Sequence, residues 1–194
     1  MERRMFKISG MQKRETEDGK LLLEGYFAKF NEPYNVFDDW VETISPGAFK
    51  RALEEGRDVK VLWNHDTNIP LGSTGANTAM LKEDGIGLFG SVEINRNDTD
   101  AMNAYARVLR GDVTGCSFGF DIGEMTEEID DEGIYRTTIK EALPLYEVSP
   151  CTFPAYKSTE IVARNREQVK EFKKKRADIW KSRMKKKLKG EQNA

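Results

Sequence analysis

Residues 114–153, TGCSFGFDIGEMTEEIDDEGIYRTTIKEALPLYEVSPCTF, decide the fold class of this chain. Three stretches of this segment, 114–122, 135–142 and 145–153, are rich in β-branched and aromatic residues, which pack well on a pleated sheet. An acidic stretch, 124–133, separates the first two and predicts a loop. The segment therefore predicts three strands that follow one another closely, and a domain built mainly on β-structure.

The chain before this segment predicts further strands. Residues 21–30 (LLLEGYFAKF) form an apolar and aromatic run typical of a buried strand, and residues 85–94 form another strand after an Asp-Gly turn. In residues 58–63 polar and apolar side chains alternate, which predicts a strand that ends just before His65.

Two short helices are predicted between these strands. Ser45 can cap the first, Pro46 suits its first position, and Gly56 ends it. The second begins at the capping residues 97–99, ends at Gly111 and has an apolar face made of Met102, Tyr105, Ala106 and Leu109. The pattern as a whole predicts a mostly β (α+β) fold, and it favours a closed barrel surrounded by short helices over a sandwich.

The charge distribution divides the 194 residues into two parts. Residues 1–163 carry 18 Lys and Arg against 29 Asp and Glu, a balance of −11, whereas residues 164–194 carry 13 against 4, a balance of +9. We therefore expect an acidic folded domain over 1–163 and a basic helical tail over 164–194. The apolar residues of the tail fall near one helical stripe: Val169, Phe172, Ile179, Trp180, Met184 and Leu188.

Two interpretations of the tail stay open. It is either a solvated helix that docks weakly on the body, or a basic amphipathic segment that binds an acidic partner, nucleic acid or a membrane surface. No base-reading or aromatic-stacking pattern indicates specific nucleic-acid recognition. No apolar run approaches the length of about 20 residues that a membrane span needs, and the N-terminus lacks the apolar core of a signal peptide, so we expect a cytosolic protein without a membrane partner.

The cysteines do not indicate a metal or disulfide framework. Cys116 and Cys151 are the only two, and they form no CxxC motif or Cys/His cluster. We therefore expect no metal and no cofactor.

The only histidine of the chain, His65, lies in the run VLWNHD (61–66). Histidine is the default general base because its unperturbed pKa lies nearest neutrality. If the protein is a histidine-dependent hydrolase, His65 must be its base. A lone histidine beside an apolar strand is, however, more often structural.

Ser117, in the run GCSFGF (115–120), is the candidate nucleophile. Flanking glycines leave its hydroxyl accessible and let backbone N–H groups approach an oxyanion. The spacing matches Gly-x-Ser-x-Gly, but the strand-turn-helix context of the hydrolase elbow is missing. Cys116 is the rival nucleophile, and on a strand it would face away from Ser117.

A serine–histidine pair works better when a third group orients the imidazole. Glu147 can take this role if the fold brings it to the ring. Asp66 is the alternative, although a side chain rarely reaches round to the ring nitrogen of its sequence neighbour.

Six motifs in a fixed order carry a resemblance to a known family. They cover about residues 20–160 and read GYFAKFN (25–31), ETISPGAF (42–49), WNHD (63–66), PLG (70–72), GCSFGF (115–120) and EVSPCTFPA (147–155). In this order they resemble the prohead (capsid-maturation) proteases of tailed bacteriophages, whose fold is similar to that of the herpesvirus assemblins. The resemblance implies a β-barrel ringed by helices that carries a serine–histidine protease.

By the same resemblance His65 corresponds to the general base and Ser117 to the nucleophile. The third member of the herpesvirus enzymes is a second histidine, which this chain lacks, and Glu147 stands at the matching place with Asp66 as the alternative. The herpesvirus enzymes also have supporting arginines shortly afterwards, whereas this chain continues with Pro154 and Ala155. Backbone N–H groups are therefore the expected oxyanion donors.

The resemblance implies a serine endopeptidase of prohead maturation. Its expected substrates are the scaffold protein, the scaffold segment of the major capsid protein, and the protease itself. It would act as a dimer or higher oligomer inside the immature prohead, in the bacterial host cytoplasm. Two alternatives stay open: an assembly module that has lost catalysis, and a hydrolase that uses Cys116 or Cys151.

Overall fold

The computed structural model describes residues 1–7, 11–17, 19–37 and 39–152, together with seven scattered positions between 174 and 185. The elements of the described part are β1 (Glu2–Lys7), β2 (Gln12–Glu15), β3 (Leu21–Lys29), β4 (Tyr34–Phe37), β5 (Trp40–Ile44), α1 (Lys50–Glu54), β6 (Lys60–Trp63), β7 (Asp66–Ser73), β8 (Ala79–Glu83), β9 (Gly87–Ile94), α2 (Thr99–Arg110), β10 (Gly115–Ile129) and β11 (Tyr135–Cys151). The prediction of a mostly β fold with few helices is confirmed.

The strands form two sheets. In the seven-stranded sheet the order is β1-β10-β11-β5-β4, and β6 pairs with β11 on one side and β7 on the other. The four-stranded sheet has the order β2-β3-β9-β8 and is antiparallel throughout. Side chains from both sheets and both helices make one large buried cluster, which includes Leu23, Phe27, Phe49, Leu88, Phe118 and Ile139.

Strand β11 is central because three strands use it as a partner. It pairs antiparallel with β10 along almost its whole length, parallel with β5 in its first part, and parallel with β6 at Glu147 and Val148. The prediction of two strands, 135–142 and 145–153, is wrong, since both belong to this one strand. The β10–β11 ladder is irregular at this point and passes from Ala142 to Leu145, so Pro144 needs no ladder N–H there.

The predicted acidic loop over 124–133 is also wrong for its first half. Strand β10 continues to Ile129, and only the short turn after it is free of strand structure. Ile129 and Tyr135 are buried in a small cluster with Trp40, and this apolar contact holds the end of the ladder. The acidic side chains of Glu124, Glu127 and Glu128 are exposed, so they remain hydrated and are compatible with a strand that faces solvent.

Helix α1 begins at Lys50, five residues after the Ser45 cap that the sequence predicts. That cap is wrong, because the Ser45 hydroxyl donates to the Ile139 carbonyl across the sheet. The free amides ahead of the helix are bound by a distant carboxylate instead. The Glu83 oxygens accept from the N–H groups of Gly47 (2.8 Å) and Phe49 (2.9 Å).

Helix α2 forms as the sequence predicts. The Asp98 carboxylate accepts from the N–H groups of Asp100 and Ala101, and Gly111 ends the helix with a φ of 84°. Its predicted apolar face is partly wrong, since Leu109 and Ala106 are exposed. The residues that it buries are Ala101, Ala104, Tyr105 and Val108.

Most of the predicted tail over 164–194 lies outside the described residues. The described positions there have helical backbone and exposed side chains, among them Trp180 and Met184 of the predicted stripe. Within the described part of the chain, no helix is long and apolar enough to cross a membrane.

Candidate active site

His65 lies in a two-residue turn between β6 and β7. Trp63 and Asp66 pair across the hairpin, and the two residues between them have positive φ angles, 50° at Asn64 and 63° at His65. A type I′ turn requires a positive φ at both central residues, and asparagine and histidine tolerate that conformation better than most side chains. The turn places the histidine just past the strand end, as the sequence predicts.

The Asn64 side chain attaches this turn to the end of β11. Its oxygen accepts from the Thr152 N–H at 2.8 Å, and its amide nitrogen donates to the Thr152 hydroxyl at 3.3 Å. Its backbone N–H donates to the Pro150 carbonyl. The neighbouring His65 is thereby held beside β11.

Strands β10 and β11 bring Ser117 and Glu147 to one face of the sheet. In their antiparallel ladder Ser117 is opposite Ser149, and Gly119 is opposite Glu147. Directly opposed residues of a ladder point to the same side, and so do residues two apart on one strand. All four positions therefore share a face.

The His65 ring is hydrogen-bonded to Glu147. Nδ1 lies 2.6 Å from Oε1, and the two side chains are only 10% and 4% exposed. The other oxygen of Glu147, Oε2, accepts from the Ser149 hydroxyl at 2.6 Å. A buried carboxylate requires such partners because it has lost its water.

This contact determines which ring nitrogen is free. An ionised carboxylate can only accept, so the neutral imidazole carries its proton on Nδ1. Nε2 is buried, and no hydrogen-bond partner lies within reach of it among the described residues. The ring thus presents an unoccupied basic nitrogen on the side away from Glu147.

Ser117 is itself fully buried, with an exposure of 0%. The side-chain oxygen of Ser117 and Nε2 of His65 are therefore both covered in this conformation.

Asp66, the alternative orienting residue, is engaged in its own turn. Its Oδ1 accepts from the backbone N–H and the side-chain amide of Asn68, each at 2.9 Å. The ring partner of His65 in this structure is Glu147.

Cys116 and Cys151 are both buried and form no disulfide. Burial, reinforced by the neighbouring Cys151, raises the pKa of the Cys116 thiol well above its usual range. Because the thiolate is the reactive form, Cys116 is poorly suited to nucleophilic attack. Its strand position, one residue from Ser117, directs it to the opposite face.

Two residues of the site escape sequence reasoning. Ser149 is fully buried and bonded to both Glu147 and the backbone N–H of His65 (3.3 Å). Gly119 leaves space for the Glu147 carboxylate, because a Cβ there would lie 2.6 Å from Oε1. The alternation Glu147-x-Ser149 indicates a shared face, but the role of Gly119 depends on the register of two strands.

Metal ligands are not grouped at this site. Across the described ranges, no set of three or more His, Cys, Asp and Glu side chains is arranged to hold a metal ion.

Comparison with known proteins finds similar chains in two bacteriophages. The chain is 35% identical to the prohead protease of Enterobacteria phage HK97 over 153 residues, which are 76% of this chain and 62% of that protein. The chain thus spans less than two thirds of the length of this relative. The bacteriophage T4 capsid assembly protease, gp21, aligns with a TM-score of 0.48 and 12% identity over 79% of this chain and the whole of that one.

A family model gives the most extensive match. The model described as caudovirus prohead serine protease matches residues 9–175, which include all three candidate residues, His65, Ser117 and Glu147. The resemblance inferred from the six sequence motifs is confirmed by this match, and the chain belongs to the caudovirus prohead serine protease family.

Proposed function

We propose that this protein is a serine endopeptidase that cleaves capsid proteins during prohead maturation. Ser117 is the nucleophile, His65 the general base and Glu147 the group that orients the imidazole. One observation carries the proposal: Glu147 contacts Nδ1 at 2.6 Å, and Nε2, which has no hydrogen-bond partner among the described residues, remains free on the sheet face that also holds Ser117.

The proposed reaction is acyl transfer. Nε2 of His65 takes the Ser117 proton while the serine oxygen attacks a peptide carbonyl, and backbone N–H groups hold the tetrahedral oxyanion. His65 then protonates the leaving amine, and a water molecule repeats the sequence on the acyl-enzyme. Glu147 stabilises the imidazolium that forms in both steps.

The fold supports this assignment at a coarse level. The described part of the chain is mostly β, in agreement with the herpesvirus-protease-like barrel that the resemblance implies, and we propose that closed barrel for residues 1–163. The basic segment over 164–194 is proposed as a separate tail that binds acidic surfaces of coat or scaffold proteins.

We further propose where and on what the enzyme acts. Its substrates are the scaffold protein, the scaffold segment of the major capsid protein, and its own chain. It acts inside the immature prohead in the host cytoplasm, as a dimer or higher oligomer. The family membership and the named relative support this proposal.

A non-catalytic assembly module is the second candidate, and the complete burial of Ser117 favours it. The His65–Glu147 pair argues against it, since a purely structural histidine has no need of an unpartnered buried Nε2. A thiol hydrolase that uses Cys116 is disfavoured by the raised pKa of the thiol.

Co-expression with the coat protein separates these candidates. Wild type, Ser117→Ala, His65→Ala and Cys116→Ala are compared by the size of the coat protein that accumulates. We expect processing in wild type and Cys116→Ala only. Processing that survives Ser117→Ala would exclude the serine mechanism, loss only in Cys116→Ala would indicate the thiol enzyme, and no processing in wild type would favour the assembly module.

A further inference from the structure

Ser149 lies at the point where three site residues meet. It follows Glu147 by two positions on β11, so both side chains are on the same face, and it is opposite Ser117 in the ladder. Its side chain is fully buried. Its hydroxyl is hydrogen-bonded to both the backbone of His65 and the side chain of Glu147.

The direction of each hydrogen bond at Ser149 follows from the groups involved. The backbone N–H of His65 can only donate, so the Ser149 oxygen accepts it, at 3.3 Å. The single hydroxyl hydrogen is then left for Oε2 of Glu147, at 2.6 Å. A hydroxyl that donates to a carboxylate makes one of the stronger hydrogen bonds found in proteins.

The consequence is that one hydroxyl fixes two members of the site relative to each other. Glu147 has three rotatable side-chain bonds, and its contact with Nδ1 alone would leave the carboxylate plane free to turn. With Oε2 held by Ser149, Oε1 is directed at the ring. The same oxygen holds the backbone of His65, so the carboxylate and the imidazole are placed by a common partner.

We propose that Ser149 is a positioning residue that keeps the His65 ring in the Nδ1–H tautomer by fixing the Glu147 carboxylate. Its hydrogen bonds go to the His65 backbone N–H and to the Glu147 carboxylate, so it acts through these two groups. Its loss lowers the reactivity of Ser117 and leaves the affinity for a substrate or probe unchanged. This inference deepens the proposed function and rests on it for the kinetic effect, but its effect on the tautomer does not depend on activity.

The direct test is nitrogen NMR of the full-length protein labelled with 15N-histidine. Because His65 is the only histidine, every ring signal comes from this residue. We expect wild type to show the Nδ1–H tautomer, Ser149→Ala to show a mixture of the two tautomers, and Ser149→Thr to restore the wild-type pattern. Ser45→Ala is the matched control, since Ser45 is also a buried serine with a hydrogen bond across the sheet, and it should change nothing.

A kinetic readout uses a fluorophosphonate as the probe. The Ser117 oxygen bonds to phosphorus, fluoride leaves, and the hydroxyl proton passes to Nε2. In Ser149→Ala we expect the maximal labelling rate to fall about 10- to 100-fold. This is the loss seen at metal sites when a residue that hydrogen-bonds and orients a ligand is removed. The half-saturating probe concentration should stay within twofold of the wild-type value.

The outcomes are distinct. A Ser149→Ala protein that keeps the Nδ1–H tautomer and the wild-type labelling rate would overturn the inference. If the alanine variant does not fold, Ser149→Cys decides, because its weaker S–H donor should give a partial tautomer shift, and an unchanged tautomer overturns the inference. If Ser117→Ala is still labelled as fast as wild type, the proposed function fails, while the tautomer shift would still support the positioning role.

Discussion

At position 119 the absence of a side chain is as important as any side chain of the site. A Cβ there would lie 2.6 Å from Oε1 of Glu147, a buried group that is held on both oxygens. Gly119→Ala should therefore displace the carboxylate from Nδ1. We expect the fluorophosphonate labelling rate of Ser117 to fall at least about 100-fold, as for loss of catalytic geometry, with the folded circular-dichroism spectrum retained.

Gly123 provides the matched control for this substitution. A Cβ there would lie 2.4 Å from Oε2 of Glu141 on the same pair of strands. Glu141 is 25% exposed and can swing into solvent, so Gly123→Ala should keep the wild-type labelling rate. Equal losses in the two alanine variants would mean that strand β10, and not the carboxylate, is disturbed.

Replacing Glu147 by glutamine tests the orienting role directly. Glu147→Gln keeps the shape of the side chain but replaces one acceptor by a donor, which permits the wrong imidazole tautomer. We expect turnover to fall by about 10³- to 10⁴-fold, the loss typical of this substitution in a serine–histidine–carboxylate site. Cleavage of the coat protein measures the turnover. Asp66→Asn should retain activity, because the Asp66 side chain accepts its hydrogen bonds from Asn68 in its own turn. A fully active glutamine variant would redirect the assignment to Asp66.

At the scale of single residues, the sequence predicts three members of the candidate site. His65 is unique, and the motif order directs attention to Ser117 and Glu147. Ser149 and Gly119 are not predictable in the same way, since a serine after E-V and a glycine in GCSFGF fit any strand. Their roles depend on which residues are opposite each other in β10 and β11, and that register is a property of the folded sheet.

Among the elements, the β6–β7 turn is the one that places His65, the proposed general base. Asn64 has a φ of 50° and two side-chain hydrogen bonds to Thr152. Asn64→Gly removes the bonds but keeps an unstrained turn, so it should lower the free energy of unfolding by about 1 kcal/mol. Asn64→Ala adds the cost of a left-handed alanine, about 1 kcal/mol more. Urea unfolding measures the free energy of unfolding of both variants. Equal decreases in the two would contradict the expected strain of an alanine at a positive φ.

The β8–β9 turn carries a pH-dependent contribution to stability. Burial acts to raise the pKa of Asp84, but hydrogen bonds from Ile86, Tyr26 and Gly87 outweigh it and hold that pKa below the usual value. A lowered pKa in the folded state contributes stability above the unfolded pKa of about 3.9, and the contribution is lost as the pH falls through the folded value.

Asp84→Asn tests this contribution. It should destabilise the protein by about 1 kcal/mol at pH 7, and the difference from wild type should shrink below about pH 4, because the neutral wild-type side chain then resembles the amide. Urea unfolding of wild type and Asp84→Asn at pH 7 and at pH 3 measures the difference in their free energies of unfolding. The other carboxylates are the same in both proteins, so their pH effects cancel in this difference. A difference that is the same at both pH values would contradict the assignment.

Element prediction succeeds where the information is local. Strand β3, helix α2 and the end of β6 follow from apolar runs, caps and alternation near each residue. The length of β10 and β11 cannot be predicted in this way. The acidic residues 124–128 are typical of a loop, and they lie on a strand because Ile129 and Tyr135, beyond them, pack against Trp40. The Ser45 cap fails for the same reason, since the carboxylate that binds those amides, Glu83, comes from a strand 34 to 36 residues away.

On the scale of the whole molecule, the candidate site depends on strands that are distant in sequence. His65 and Glu147 are 82 positions apart, and β6 comes beside β11 only through a two-residue parallel contact. The sequence predicts the strands and, through the resemblance, the shared site. It does not contain the sheet order in any local pattern, because that order follows from packing the two sheets around one core.

The division of charge between residues 1–163 and 164–194 predicts how the chain should change if it cleaves itself. Loss of residues 164–194 would leave residues 1–163 with a balance of −11 and would remove the segment that we propose binds acidic surfaces. If the enzyme cleaves its own chain, as we propose, wild-type protein should shorten from 22.2 kDa to a body without its tail, whereas Ser117→Ala should remain intact. Intact-mass spectrometry during expression and purification measures this.

Host proteases also cut lysine-rich segments, and the Ser117→Ala protein controls for them because it carries the same tail through the same purification. A mixture of wild type with an excess of tagged Ser117→Ala protein distinguishes cleavage between molecules from cleavage within one. We expect the tagged protein to lose its tail only when wild type is present, which would indicate cleavage between molecules. Equal shortening of wild type and Ser117→Ala, purified separately, would assign the cut to the host and remove self-cleavage from the proposed function.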